Sequence, residues 1–390
     1  MRRAGVVVLP LADRGQSVPC PAVTASNGKS FPFVKEPNLR GAPGETCNAT
    51  PKDAAMSTFR NATGRLHAAR LLVALIAWAV IAAAPAPARA AESGVSHYIV
   101  GAYGDFLMGY IPAGGFYVRN DTFYQSAHMD QSLKGGRAFA GIDSSMVMNI
   151  TKLSYLFDVP AMGGFLGVGV GVPFIINEHI TGDLAADWDH KSRTTGLETP
   201  HHLAYGGGGD RGGLSDIFLM PVIAGWNFGE CHVVVSPIVF LPTGYYNPKK
   251  LTNLGMNYAS FDGNVAFTWL SKSKIEFSVN AGYMINTENQ TTSYLTGNQI
   301  HADWTLAYHF NERLALGAVG YLFAQTTPDS GSGARMGSYL SSGTGIGPAV
   351  TYTVPVGGKE LMLVTKWLHG LGASNSPIGD TVYASFAIKF

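Results

Sequence analysis

Three groupings in this 390-residue chain carry side chains that could do chemistry. His190, His201 and His202 lie near Asp187 and Asp189, and all are metal-ligating residue types, but their spacing fits no defined metal site. Ser278 and His301 offer a nucleophile and a base. A hydrolase would need them adjacent, with a third polar group orienting the base, and no Gly-x-Ser-x-Gly elbow accompanies them. Gly206 to Gly213 (G-G-G-G-D-R-G-G) is glycine-rich, yet it lacks the Gly-Lys-Ser/Thr ending of a phosphate loop and opens no helix. The chain therefore reads as no enzyme, with no cofactor and no metal. A larger set remains, in which polar residues alternate with apolar ones: Asp262 and Asn264; Glu276, Asn280 and Asn286; His301, Asp303 and His309; and Tyr321 with Gln325. Such a set would line or plug the lumen of a channel, meeting a solute or pairing across the interior.

The elements that must position this set are strands. In 275–287, Ile275, Phe277, Val279, Ala281, Tyr283 and Ile285 alternate with polar or small residues. The segments 261–270 and 298–310 behave in the same way, and the period of two is that of a strand with one apolar face. The chain ends on such a strand, Val382 to Phe390 (V-Y-A-S-F-A-I-K-F). A free apolar edge invites aggregation, and closure into a barrel removes it. The candidate strands are 115–127, 138–155, 162–178, 215–228, 231–241, 258–270, 274–287, 298–311, 313–326, 344–355, 359–369 and 379–390. Twelve is an even number, as single-chain bacterial barrels require, with ten or fourteen as alternatives. The fold class is all-β, an antiparallel transmembrane β-barrel. Ala102 to Pro112 reads as an extended N-terminal segment tucked into the lumen, with Phe106, Leu107 and Met108 available for an apolar pocket. Residues 180–213, polar and turn-rich, read as a long extracellular loop.

Alternation alone does not separate a membrane barrel from a soluble β-sandwich, since both have one apolar face. Three features favour the barrel. Aromatics such as Trp304, Tyr308 and Phe310 gather as interfacial girdles would, and the chain closes on Phe390. The third is an export signal. Arg60, Arg65 and Arg70 precede the 14-residue apolar run Leu71 to Ala84, and Ala88-Arg89-Ala90 forms a cleavage triplet. The run is shorter than the ~20 residues of a membrane-spanning helix. Residues 1–55 read as a disordered or non-native extension, 56–90 as the signal peptide and 91–390 as the barrel domain. After residue 90 the chain holds 16 basic and 22 acidic residues and one cysteine, Cys231. A formal charge of −6 gives no basic face for nucleic acid, and a lone cysteine gives no disulfide framework.

Six short motifs follow in order along the second half. They are Gly213-Leu-Ser-Asp216 with Pro221, Leu241-Pro-Thr-Gly-Tyr-Tyr246, Gly255-Met-Asn-Tyr258, Tyr294-Leu-Thr-Gly297 with His301, Gly317-Ala-Val-Gly-Tyr321 with Gln325 and Asp329, and Gly345-Ile-Gly-Pro348 with Tyr352. In these motifs residues 100–390 resemble the meta-pathway phenol-degradation family of outer-membrane β-barrels. The resemblance implies passive passage of hydrophobic or aromatic small molecules across the outer membrane of a Gram-negative bacterium. The expected partners are those solutes, outer-membrane lipid, and the barrel-assembly machinery that reads a C-terminal strand during biogenesis. The alternative is a structural barrel that binds a surface partner through its extracellular loops, and ranked below it an outer-membrane hydrolase built on Ser278 and His301.

Overall fold

A computed structural model describes residues 95–390 apart from 134–137, 160–163, 192–197, 251 and 335–339. The expected extension and signal peptide lie outside the described residues. The alternating segments form fourteen strands: β1 (Gly115–Leu133), β2 (Ala138–Val159), β3 (Gly164–Lys191), β4 (Glu198–Leu214), β5 (Phe218–Phe228), β6 (Cys231–Val235), β7 (Ile238–Phe240), β8 (Ser260–Leu270), β9 (Ile275–Asn286), β10 (Gln299–His309), β11 (Leu314–Gln325), β12 (Ser342–Val356), β13 (Lys359–Ser374) and β14 (Ile378–Lys389). All belong to one antiparallel sheet that closes on itself. β6 and β7 are two pieces of a single barrel position, since both pair with β5 and with β8. Pro237 lies in the gap between them, where a proline has no N–H to give the ladder. β4 and β5 likewise share the edge of β3, β4 along its outer part and β5 along its first residues. The barrel thus has twelve positions, as the alternation predicts.

β14 closes the ring by pairing with β1 from Tyr117↔Lys389 to His128↔Ile378. Phe386 and Phe390 point outward and are exposed, while Tyr383 and Ser385 are buried inside. The Phe390 N–H reaches the Phe116 carbonyl at 2.8 Å. Removing Phe390 is expected to reduce the amount of folded barrel in outer membranes several-fold while total synthesis stays level, read by heat-modifiable gel migration against total blot signal. Equal folded and total signals would show that the last residue is dispensable for assembly.

Polarity is inverted relative to a soluble protein. Asp262, Thr268, Glu276, Ser278, His301, Asp303 and Thr305 are buried, while Phe261, Val265, Trp269, Ile285, Leu306 and Leu316 are exposed. Every strand hydrogen bond is made within the closed sheet, so apolar side chains can face hydrocarbon at no backbone cost. Exposed aromatics mark both rims: Phe116, Tyr155, Phe157, Tyr308, Phe310 and Phe390 at one end, and Tyr124, Phe174, Tyr283 and Trp367 at the other. Phe116 and Tyr124 are eight residues apart on β1, roughly 26 Å along the strand, which at a strand tilt of about 35–45° spans about 20 Å of depth, most of the ~25 Å apolar band of outer-membrane barrels. This is a transmembrane barrel of the outer-membrane kind. Trp304, expected in a girdle, instead sits mid-strand against Gly320, where a side chain on the glycine would collide with the indole.

The connections also differ between the ends. At the end holding both termini of the barrel, β12 and β13 join through Gly357-Gly358, with φ of 57° and 78°. Both residues occupy left-handed backbone, which suits a two-residue hairpin turn. At the other end the strands outrun the membrane. The stretch 180–213, expected as a loop, is largely strand: β3 and β4 pair from Phe174↔Leu214 out to Lys191↔Glu198. Above the lipid a ribbon needs only its backbone ladder, so it carries no apolar alternation to read.

Candidate functional site

The barrel interior is occupied by its own N-terminal segment, residues 95–114. An inner wall of buried acids and hydroxyls needs hydrogen-bond partners, and the segment's backbone supplies them. Glu276 Oε1 accepts from the Leu107 N–H at 2.5 Å, and Thr268 Oγ1 from the Gly109 N–H at 2.8 Å. Asp303 Oδ1 accepts from the Tyr98 hydroxyl at 3.1 Å and the Gly101 N–H at 3.2 Å. Thr305 donates to the Asp105 carbonyl at 2.7 Å, and Tyr383 donates to the Val100 carbonyl at 2.6 Å. The close approach matters at Gly109, whose Cα faces β-sheet backbone so tightly that a Cβ would lie 2.5 Å from the Thr268 nitrogen.

Charge fixes the middle of the plug. Lys366, on β13 and 2% exposed, donates to the Gly101 carbonyl at 2.5 Å, to the Gly104 carbonyl and to Asp105 Oδ1 at 3.0 Å. Arg119 on β1 bridges Asp105 and Asp121, and Lys152 on β2 reaches Asp121 at 3.0 Å and the Ala102 carbonyl at 3.1 Å. Burial would raise the Asp105 carboxyl, but Arg119 and Lys366 outweigh it and hold the group below the usual carboxylate range. Burial, followed by the neighbouring Asp303 for Tyr98 and Asp262 for Tyr103, pushes both plug phenols up. At the top of the plug, His97 lies 2.7 Å from Ser260 Oγ and 3.0 Å from Asp216 Oδ2, stacked on Phe240.

The polar residues singled out in the sequence fall into two groups. Asp262, Glu276, His301 and Asp303 are fully buried together beside the plug. Both Asp262 oxygens lie 3.0 Å from His301 Nε2, and the His301 ring stacks on Tyr98 at 4.4 Å. His309 meets Glu276 Oε2 at 2.6 Å. Asn264 is buried and donates to the Asp262 carbonyl, and Asn280 reaches the Tyr103 carbonyl at 3.5 Å. The second group serves the outer loops. Asn286 accepts from Ser260 at 2.6 Å and donates to the Gly297 carbonyl at 2.9 Å. Gln325 holds Asp329 at 2.7 Å and the Ser341 N–H at 2.5 Å. Tyr321 is buried with its ring parallel to that of Phe323. Ser278 and His301 are not brought together: Ser278 bonds Glu276 and Thr268, and its cross-strand neighbour is Thr305. The side chains of His190, His201 and His202 lie outside the described residues.

The sequence reading missed the other half of the wall. Phe123, Met148, Ile150, Ile175 and Phe218 are buried and belong to one apolar cluster with the plug's Tyr98 and Phe106, against which Met146 and Leu107 pack. The signal was present in the alternation of Met146, Met148 and Ile150 with Val147, Asn149 and Thr151. Its direction was not, because in β2 the apolar face turns inward. The inner wall is therefore mixed, with polar groups that hold the plug and, outward of Arg119 and Lys152 on β1 and β2, an apolar patch that includes adaptable methionine.

A family model described as "Putative MetA-pathway of phenol degradation" matches residues 130–386. A search of curated proteins found no match. Among solved structures, the chain is similar to the COG4313 outer membrane channel from Pseudomonas putida F1, at 13% identity over 74% of this chain and 98% of that one, with a TM-score of 0.54. It also matches a Pseudomonas aeruginosa FadL homologue at 7% identity, over 70% of this chain and 89% of that one, with a TM-score of 0.33. The first likeness is one of fold, and it agrees with the inverted polarity in placing the barrel in the outer membrane of a Gram-negative bacterium. Since the family model spans well over half of its length, the chain belongs to the family "Putative MetA-pathway of phenol degradation".

Proposed function

We propose that this barrel passes small hydrophobic or aromatic molecules across the outer membrane without an energy source. The observation that carries this reading is the division of the interior. The plug's polar groups are tied to β8–β10, β13 and β14 and, through Arg119 and Lys152, to one level of β1 and β2; outward of those two cations the wall presents Phe123, Met148 and Ile150, an apolar patch in the same cluster as Tyr98 and Phe106. An apolar solute lying against that patch displaces only apolar contacts and has to loosen the Arg119 and Lys152 ties at one level, whereas a polar solute must also leave its own water behind without replacement. Passage is by diffusion, with the plug shifting locally against the methionines, and no catalytic step is involved.

The test is uptake into proteoliposomes of monoaromatic solutes against sugars of similar size. Aromatic uptake is expected to exceed that of empty liposomes and to be saturable, while sugar uptake stays at background. Replacing Met148 and Ile150 by Asn places unpaired amides on the apolar side. That costs about 1–3 kcal/mol and is expected to slow aromatic uptake by about tenfold. Uptake that is independent of solute and unchanged in this variant would sink the reading. A barrel that docks a surface partner is the second reading, and its support is the β3–β4 ribbon that extends beyond the lipid band.

A further inference from the structure

A carboxylate at the outer mouth of the lumen has an oxygen without a partner. Glu178 lies on β3, four residues beyond the rim aromatic Phe174, and is opposed by Met146 on β2 and Arg211 on β4. A bulge aims it. The β2–β3 and β3–β4 ladders both take up one extra residue between Ile175 and Glu178. Simple alternation from buried Ile175 would turn Asn177 inward and Glu178 outward. The extra residue instead puts Glu178 on the inner face with Met146, which packs against the buried apolar cluster. One level toward the membrane stand Ile175 and its opposite, Met148. Leu254, from the outer loop 241–259, packs on the same cluster. Glu178 Oε2 is sealed from solvent and accepts no hydrogen bond among the described residues. Arg211 lays its guanidinium over the Tyr245 ring, 4.1 Å from the centre, and gives Oε2 no hydrogen bond. Burial pushes the Glu178 carboxyl up to about 7, against the pull of Arg211.

We propose that Glu178 and the apolar patch beneath it form a site for a ring-shaped apolar solute carrying one hydrogen-bond donor, a hydroxyl or an amino group. Glu178 Oε2 accepts from that head, and Met146, Met148 and Ile175 cover the ring. The site rests on the passage of small apolar molecules proposed above, and it adds the group that chooses among them. An ionised carboxylate can only accept, so it selects a head that donates and gives nothing to an ether, a nitro group or a bare hydrocarbon. A hydrogen bond to a charged acceptor is stronger than one between neutral groups. A ring of the same size without the donor leaves Oε2 buried and unpartnered, and a site built around a polar group rejects the analogue that lacks its partner. The methionines, unbranched and polarizable, fit rings of differing outline, so the choice falls on the head.

Saturation-transfer NMR of the full-length barrel in detergent micelles tests this with benzyl alcohol against toluene, at pH 8, where Glu178 is ionised. The wild type is expected to bind benzyl alcohol about tenfold more tightly than toluene. Glu178→Leu is expected to lose that preference, and Glu178→Gln, which keeps an acceptor oxygen, to retain part of it, with heat-modifiable migration persisting in both. An equal preference in the wild type and Glu178→Leu overturns the proposal. So does tighter binding of benzoate than of benzyl alcohol, which would make Arg211 the partner of the head. Proteoliposome uptake separates this site from the reading on which it rests. Uptake of both solutes above that of empty liposomes, but alike in the wild type and Glu178→Leu, overturns the site alone, whereas uptake of both at background overturns the passage reading with it.

Discussion

Deleting residues 95–113 is expected to turn a closed barrel into a water-filled pore, with liposomes carrying it swelling in small sugars about tenfold faster or more than those carrying the intact chain. The expectation follows from what fills the interior. Eight strands enclose just enough room for side chains, and sixteen or more leave a channel; twelve positions leave a gap, and here the plug occupies it. Its removal uncovers Asp262, Thr268, Glu276, Asp303, Thr305 and Lys366, all at most 2% exposed in the closed state. Thr268, Glu276, Asp303, Thr305 and Lys366 lose their plug partners together, and water takes their place. Among the described residues the ladder bonds of the sheet run from strand to strand and the plug is held by wall side chains, so the deleted form should still show heat-modifiable migration. Unchanged swelling with an intact barrel would mean that the outer loops 241–259 and 287–298 close the lumen by themselves.

Lys366→Met is expected to destabilise the plugged state by about 3–5 kcal/mol, the usual cost of removing one partner from a buried ion pair. The side chain anchors three plug positions at once, Gly101, Gly104 and Asp105, and its loss takes the ammonium from the Gly104 carbonyl and leaves the Gly101 carbonyl with the Gly104 N–H at 3.4 Å. Arg119 cannot compensate fully, because it already bridges Asp105 to Asp121. The effect should appear as faster proteolysis within residues 95–113 and as a lower urea midpoint for the tyrosine signal of Tyr98 and Tyr103. Adding Asp105→Asn should recover part of the loss, since it removes the uncompensated charge. If Lys366→Met alone left both readouts unchanged, the plug would be held by its backbone bonds to Glu276 and Thr268 rather than by charge.

Much of this architecture is legible residue by residue. Phe277, Val279, Tyr283 and Ile285 mark β9 as plainly as any strand in the chain, and Gly, Asn and Pro break the segments where the turns fall. The last strand, from its alternation and its aromatic end, implies a ring that closes on β1. The plug was legible only as an extended stretch with poor alternation. Its anchors Arg119, Lys152 and Lys366 lie 14, 47 and 261 positions from Asp105 in the numbering, and nothing local links them.

What the sequence determines by itself is the alternating strands of the membrane band and the identity of the closing pair, because a period of two and an unprotected edge are local facts; the outer β3–β4 ribbon, which carries no alternation, is not among them. Which face of a strand points inward is not local. The same alternation puts Glu276 and Ser278 inside and Ile275 outside on β9, yet puts Met148 and Ile150 inside and Asn149 and Thr151 outside on β2. Pairing register carries the choice of face from strand to strand around the ring, and one slip would invert every side chain beyond it. Only the closed tertiary structure fixes that choice. With it come the apolar patch of the lumen around Met148 and Ile150 and the internal segment that the buried charges and hydroxyls of the wall hold in place.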